Sequence, residues 1–190
     1  MPNRASRVRE KLLTAQKKKI IVQFTRPFET GEFSGFVMDI GPKFFVLASL
    51  DDGFAFESYS CLRIKDVRRL QCPAKYAEFY TAARKLRGDK RPRKIVLDLS
   101  SIGSILTSAA PSLLTIHREK RDPDTCNIGY LVSHDEKTLE MIEIAPGAKW
   151  EAEPSYFSLK EITRIDLPGP YERALIAVGG YPEFFAGKSN

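Results

Sequence analysis

An all-β protein with short helices, built as two tandem five-stranded, strongly bent small barrels each preceded by a helix, is the fold class that this 190-residue sequence predicts. Three observations predict it. Apolar and polar residues alternate with the period of half-buried strands, turn residues punctuate the short runs, and the chain repeats itself at an offset of 94 residues. At that offset Ile20 and Val22 fall on Leu114 and Ile116, Gly35-Phe36-Val37 on Gly129-Tyr130-Leu131, and Gly53 on Gly147. After one added residue, Ile64-Lys65-Asp66-Val67 falls on Leu159-Lys160-Glu161-Ile162, with Pro73 and Tyr76 on Pro168 and Tyr171.

The elements of the first copy follow in order. Ser6 caps a helix through about Gln16, with Val8, Leu12 and Ala15 on one stripe. Ile20, Val22 and Phe24 alternate as a first strand, Phe33 to Ile40 form the second, and Gly41-Pro42-Lys43 turns into a third from Phe44 to Leu50. Asp51-Asp52-Gly53 turns into a fourth from Phe54 to Tyr59, and Val67 to Leu70 make a short fifth. Five short antiparallel strands are best protected at their edges by strong bending, and the mid-strand Gly35 and Gly129 suit the bend. Ala74 to Leu86 reads as a helix stopped at Gly88, Lys94 to Leu99 offers an additional edge strand, and Ser100 or Ser101 caps a helix ending before Pro111. Tyr171 to Val178 is a shorter counterpart of Ala74 to Leu86 behind the second copy. The organisation is thus 1–73, first barrel with its helix; 74–99, a basic, partly helical linker; 100–178, second barrel with its helix; and 179–190, a tail.

With 43% hydrophobic residues the chain can bury a core, and no stretch reaches the roughly 18 apolar residues of a membrane helix, which excludes a membrane protein. Cys61, Cys72 and Cys126 are an odd, sparse set and the start lacks the apolar run of a secretory signal, so the expected compartment is a reducing cytoplasm. Charge is concentrated. Residues 1–20 carry seven cations against Glu10, among them Lys17, Lys18 and Lys19; residues 81–94 carry Arg84, Lys85, Arg87, Lys90, Arg91, Arg93 and Lys94 against Asp89. Each cluster is +6 in a chain of net +6, so the remainder is −6. Clustered cations on an acidic body form the footprint of a phosphate-backbone partner, or serve solubility alone.

A helix, five bent strands, a glycine in the second strand, and a short fifth strand reached through Ile-Lys-Asp-Val or Leu-Lys-Glu-Ile resemble an Sm-like (LSm) barrel, here twice over, roughly at 5–72 and 101–167. Gly35, Gly129 and Asp39 match the family's first motif; the turn Gly41-Pro42-Lys43 and the elements Ile64-Lys65-Asp66 and Leu159-Lys160-Glu161 stand where its other motifs would be. The tandem arrangement is similar to small uncharacterised bacterial Sm-like proteins. The resemblance implies binding of single-stranded RNA and self-association through barrel edges, either between chains as a ring or between the chain's own halves.

Chemistry is otherwise sparse. His117 and His134 have no Cys or second His at ligand spacing and read as solvated surface residues, so no metal, cofactor, catalytic residue or small-molecule substrate is expected, and the chain reads as no enzyme. Adjacent Phe44 and Phe45 cannot both face one core; one must project, to stack a base or to be covered by another element. Two functions remain open: a non-catalytic nucleic-acid-binding, RNA-type protein using Lys17 to Lys19 and Arg84 to Lys94 as phosphate contacts, or a protein-protein assembly or adaptor module without nucleic acid. Convergence of both basic segments beside exposed aromatics would favour the first; their separation would favour the second.

Overall fold

The computed structural model describes residues 3–185. Leu12 and Ala15, fully buried, fix the first helix, α1 (Arg4–Lys18), against the sheet. Asn3 rather than Ser6 is its cap, accepting from the Ser6 amide at 2.9 Å. The strands of the first half are β1 (Ile21–Thr25), β2 (Glu32–Ile40), β3 (Phe44–Leu50), β4 (Phe56–Arg63) and β5 (Arg68–Gln71), the last reached through a 3-10 turn at Ile64–Asp66. Helix α2 (Ala77–Arg87) follows and stops at Gly88, whose φ of 74° suits a residue without Cβ. The second half repeats this plan: α3 (Ile102–Ala109), capped by Ser101; β6 (Leu114–His117), β7 (Cys126–His134), β8 (Thr138–Glu143) and β9 (Ser155–Ser158); a 3-10 turn at Leu159–Glu161; then β10 (Arg164–Asp166) and α4 (Pro170–Gly179).

The repeat extends to backbone detail. β2 and β3 shift register between Val37 and Asp39, and β7 and β8 shift between Leu131 and Ser133, at the offset of 94. A Cβ on Gly35 would lie 2.2 Å from the Ala48 carbonyl oxygen; one on Gly129 would lie 2.2 Å from that of Ile142. Both glycines are there because another backbone crosses too close for any side chain.

The two five-stranded units are joined in one sheet rather than separate. All ten strands join one antiparallel sheet in the order β5-β1-β2-β3-β4-β10-β6-β7-β8-β9, and the sheet does not close on itself. In each half the fifth strand lies beside the first, and β4 pairs instead with β10 through Leu62↔Arg164, Cys61↔Ile165 and Ser60↔Asp166. An unpaired edge in one half is thereby satisfied by the other.

This joint also resolves the Phe44 and Phe45 conflict. Phe45 enters the first core with Leu12, Phe24 and Leu62, whereas Phe44, Val46 and Cys61 point the other way into a core shared with Ile105 and Leu106 of α3, Leu139, Met141 and Ile165. Every residue of β3 is consequently buried. Lys94 to Leu99 add no strand; Leu97 and Leu99 fill the shared core instead. Helix α2 covers the first half's outer face through Tyr80, and α4 covers the second through Leu175. Tyr181 and Phe185 pack on Tyr130 at 4.9 and 6.3 Å, so the tail expected from 179 is packed as far as 185, and its residues 186–190 lie outside the described residues.

A buried ionic cluster fastens the joint. Arg26, 3% exposed, donates to Glu119 at 2.8 Å and to Glu29 at 2.9 Å, while Arg164 lies within 3.8 Å of Glu119 and 3.5 Å of Glu29. His117 is buried here, correcting its reading as a solvated surface residue. In the tautomer that satisfies both partners, its Nε2 donates to Asp166 at 2.8 Å and its Nδ1 accepts from Arg164 at 3.0 Å.

Candidate nucleic-acid interface

The turn Gly41-Pro42-Lys43 and the 3-10 turn Ile64–Asp66 meet at one end of β2, β3 and β4, because the Ile64 amide donates to the Lys43 carbonyl at 2.9 Å. The start of α1 lies over both: Arg9 donates to the Gly41 carbonyl at 3.4 Å and Arg4 donates to the Val67 carbonyl. Between them is a pocket of about 340 Å³ lined by Arg9, Lys43, Arg63 and Lys65, with Ala5, Phe44 and Ile64 as apolar wall and, among the described residues, no carboxylate in the lining. The first turn of α1 contains no acidic residue either, so the positive end of the helix dipole adds to this field. Arg63 is 8% exposed. Asp66 pairs with its Nε and the Ile162 carbonyl accepts from Nη1, while Nη2 is buried without an acceptor among the described residues. Such a pocket favours an anion that brings several acceptor oxygens.

The second half builds the corresponding pocket and reverses its charge. The turn after β7, the 3-10 turn Leu159–Glu161 and the start of α3 enclose it, with the Leu159 amide donating to the Lys137 carbonyl at 2.8 Å. Asp98, Asp135 and Glu136 line it against Lys160. Gly103 stands at the repeat position of Arg9, and the His134 ring, only 3.0 Å from where a Gly103 Cβ would be, occupies the space; it also bonds the Thr107 hydroxyl at 2.8 Å. Backbone amides of Lys137 and Thr138 hold the Asp135 carboxyl below its ordinary range, so it stays ionised.

The residues singled out from sequence divide into two groups. Lys17, Lys18, Lys19, Lys85, Lys90, Arg91, Arg93 and Lys94 are exposed. Arg84 is not: at 5% exposure it donates to the carbonyls of Phe54 (2.6 Å) and Lys90 (2.9 Å), so it clamps the β3–β4 turn to the linker and is not a phosphate contact. Arg87 is held by the Gly53 carbonyl and Asp89 and is largely committed to the same turn. The pocket residues Lys43 and Arg63 were missed because Lys43 is isolated in sequence and Arg63 stands in a stretch that alternation marks as strand, although Lys43 and Lys65 stand in the two turns that the repeat marks.

At the opposite ends of the same strands, a cleft of about 560 Å³ between the halves is lined by Glu32, Asp51, Asp52, Glu57, Asp166 and Glu172 against Arg164. Burial and the neighbouring carboxylates of Asp166, Asp51 and Glu172 push Glu57 up. Burial acts to raise Asp166 as well, but Arg164 and His117 hold it below its ordinary value. The field there repels a polyanion, so the first half is cationic at one end and anionic at the other. Among the described residues no helix is long and apolar enough to cross a membrane and no cluster of three or more His, Cys, Asp or Glu is arranged for a metal. No family model, curated protein or solved structure matches this chain.

Proposed function

We propose that this protein is a non-catalytic, cytoplasmic RNA-binding protein on a tandem Sm-like scaffold, reading the phosphate backbone of a single strand with its first half. The observation that carries this reading is the carboxylate-free pocket of Arg9, Lys43, Arg63 and Lys65 at the start of α1. The repeated register shift and the paired glycines support the tandem scaffold, and the free thiols of Cys61, Cys72 and Cys126 support a reducing compartment. Exposed Lys17, Lys18, Lys90, Arg91, Arg93 and Lys94 extend the cationic surface.

The test is titration of a mixed-sequence single-stranded RNA against salt. Binding weakens steeply with salt, and Lys43→Glu with Lys65→Glu lowers affinity by about tenfold or more, with a shallower salt slope. Absence of binding by the unaltered protein at low salt overturns the reading.

A second reading, an assembly module, is favoured by the edges. The β4·β10 joint leaves β5 and β9 as the outer strands, and a copy docked in the register of that joint would set Arg69, Leu70 and Gln71 opposite Phe157, Tyr156 and Ser155 of its neighbour. Exposed Arg69 on one edge and exposed Glu151 and Glu153 beside the other are complementary. Light scattering across a concentration series checks it: mass rises with concentration, and Tyr156→Pro returns the monomer.

A further inference from the structure

The C-terminal end of α1 carries a second feature. Lys19 closes the helix, and the Ala74 amide donates to the Ile21 carbonyl at 2.8 Å, which brings the start of α2 beside β1. Between these elements is an open groove of about 810 Å³ lined by Lys19, Lys75 and Lys85 with Ile20, Tyr76 and Phe79. Glu78 is the one carboxylate in that lining. Tyr76 is 53% and Phe79 62% exposed. Each is braced edge-on from within, Tyr76 by Tyr80 with centroids 6.3 Å apart and Phe79 by Phe54 at 5.7 Å. Lys75 Nζ lies 5.0 Å from the centre of the Tyr76 ring, covering one of its faces, and the aromatic surface left in water beside the three amines is the pairing that stacks unpaired bases and follows their phosphates.

We infer that this groove is a second contact site for single-stranded nucleic acid, in which Tyr76 and Phe79 stack bases while Lys19, Lys75 and Lys85 pair with phosphates, and that one strand reaches it from the pocket at the other end of α1. The inference rests on the RNA-binding reading above. Fifteen helical residues separate the two sites, about 22 Å. Exposed Arg7, Lys11, Lys17 and Lys18 lie along the helix between them, against Glu10. Continuity of positive charge from the carboxylate-free pocket to a groove that offers ring faces favours a nucleic-acid strand, which carries a phosphate and a stackable base at every unit, over an acidic peptide.

The experiment uses the full chain and oligouridylates of increasing length, from about 2 to 12 nucleotides, followed by fluorescence anisotropy. Affinity rises sharply once the strand is long enough to bridge both sites. Tyr76→Ala with Phe79→Ala lowers affinity for the long strand by about tenfold or more and leaves the shortest unaffected. Lys75→Ala with Lys85→Ala does the same and reduces the salt slope. Both pairs of side chains are exposed, and an unchanged thermal midpoint verifies that the fold is intact. If groove variants bind the long strand as the unaltered protein does, or if affinity is independent of length, the groove inference fails while the RNA-binding reading stands. If no oligonucleotide binds the unaltered protein, both fail. Polyglutamate binding lost in the groove variants, with RNA affinity unchanged in them, also overturns the inference and identifies a protein partner.

Discussion

The two halves of this chain share strand order, register shift and a glycine forced by the same backbone crossing, yet their corresponding pockets carry opposite charge. Arg9, Lys43, Arg63 and Lys65 line the first; Asp98, Asp135 and Glu136 dominate the second. The side chains that point inward are held by packing, and those that line the end turns are free to diverge. A repeated frame can therefore present opposite charge at corresponding ends. Neither half is self-sufficient, since Phe44, Val46 and Cys61 of the first share one core with Ile105, Leu106, Leu139, Met141 and Ile165 of the second.

That dependence gives the largest expected effect. A fragment of residues 1–90 exposes Phe44, Val46 and Cys61, with a penalty of about 1.5–3 kcal/mol for each large apolar side chain returned to water, and shows no cooperative unfolding by circular dichroism. A stable, monomeric fragment with native-like sheet signals would sink the shared-core account. Next in size is Glu119→Gln, which leaves Arg26 buried with half its compensation; the loss is about 3 kcal/mol in denaturant unfolding. Smaller is the effect of giving the second pocket the charge of the first. Asp135→Lys with Glu136→Lys is expected to raise RNA affinity severalfold and to steepen its salt dependence, measured in the same titration. The smallest is a matter of pH. The Asp166 carboxyl titrates below its ordinary value of 3.8 in the folded protein, so its stabilisation is complete above that pH and is lost as pH falls through the lower folded value. Asp166→Asn should remove that part of the acid-side loss, seen as a flatter dependence of thermal midpoint on pH below about 4.

Sequence periodicity exposed the frame because alternation and turn residues act locally. The offset of 94 residues located both glycines and the Ile-Lys-Asp and Leu-Lys-Glu turns. What it could not show was which edges meet. Leu62↔Arg164 and Cys61↔Ile165 are pairings across a hundred residues, and no local pattern records them. His117 looked solvated because its neighbours on β10, Arg164 and Asp166, are 47 and 49 residues further along in the same half, and no alternation within its own strand records them. Runs of charge were legible, but their roles were not. Arg84 belongs to the most basic stretch of the linker and spends its guanidinium on two carbonyls, whereas Lys43, alone in its turn, shares a pocket with Arg63 at the end of β4.

The joint is only three residue pairs long, and the segment from Gly88 to Ser101 tethers its two sides in one chain. Tethering over so short a span presents one edge to the other at an effective concentration in the millimolar range. The internal pairing thus survives any dilution the cell imposes. A contact between β9 and β5 of separate copies would have no tether and would follow the abundance of the protein, so the kind of edge that is a permanent seam inside the chain would be a dose-dependent one outside it.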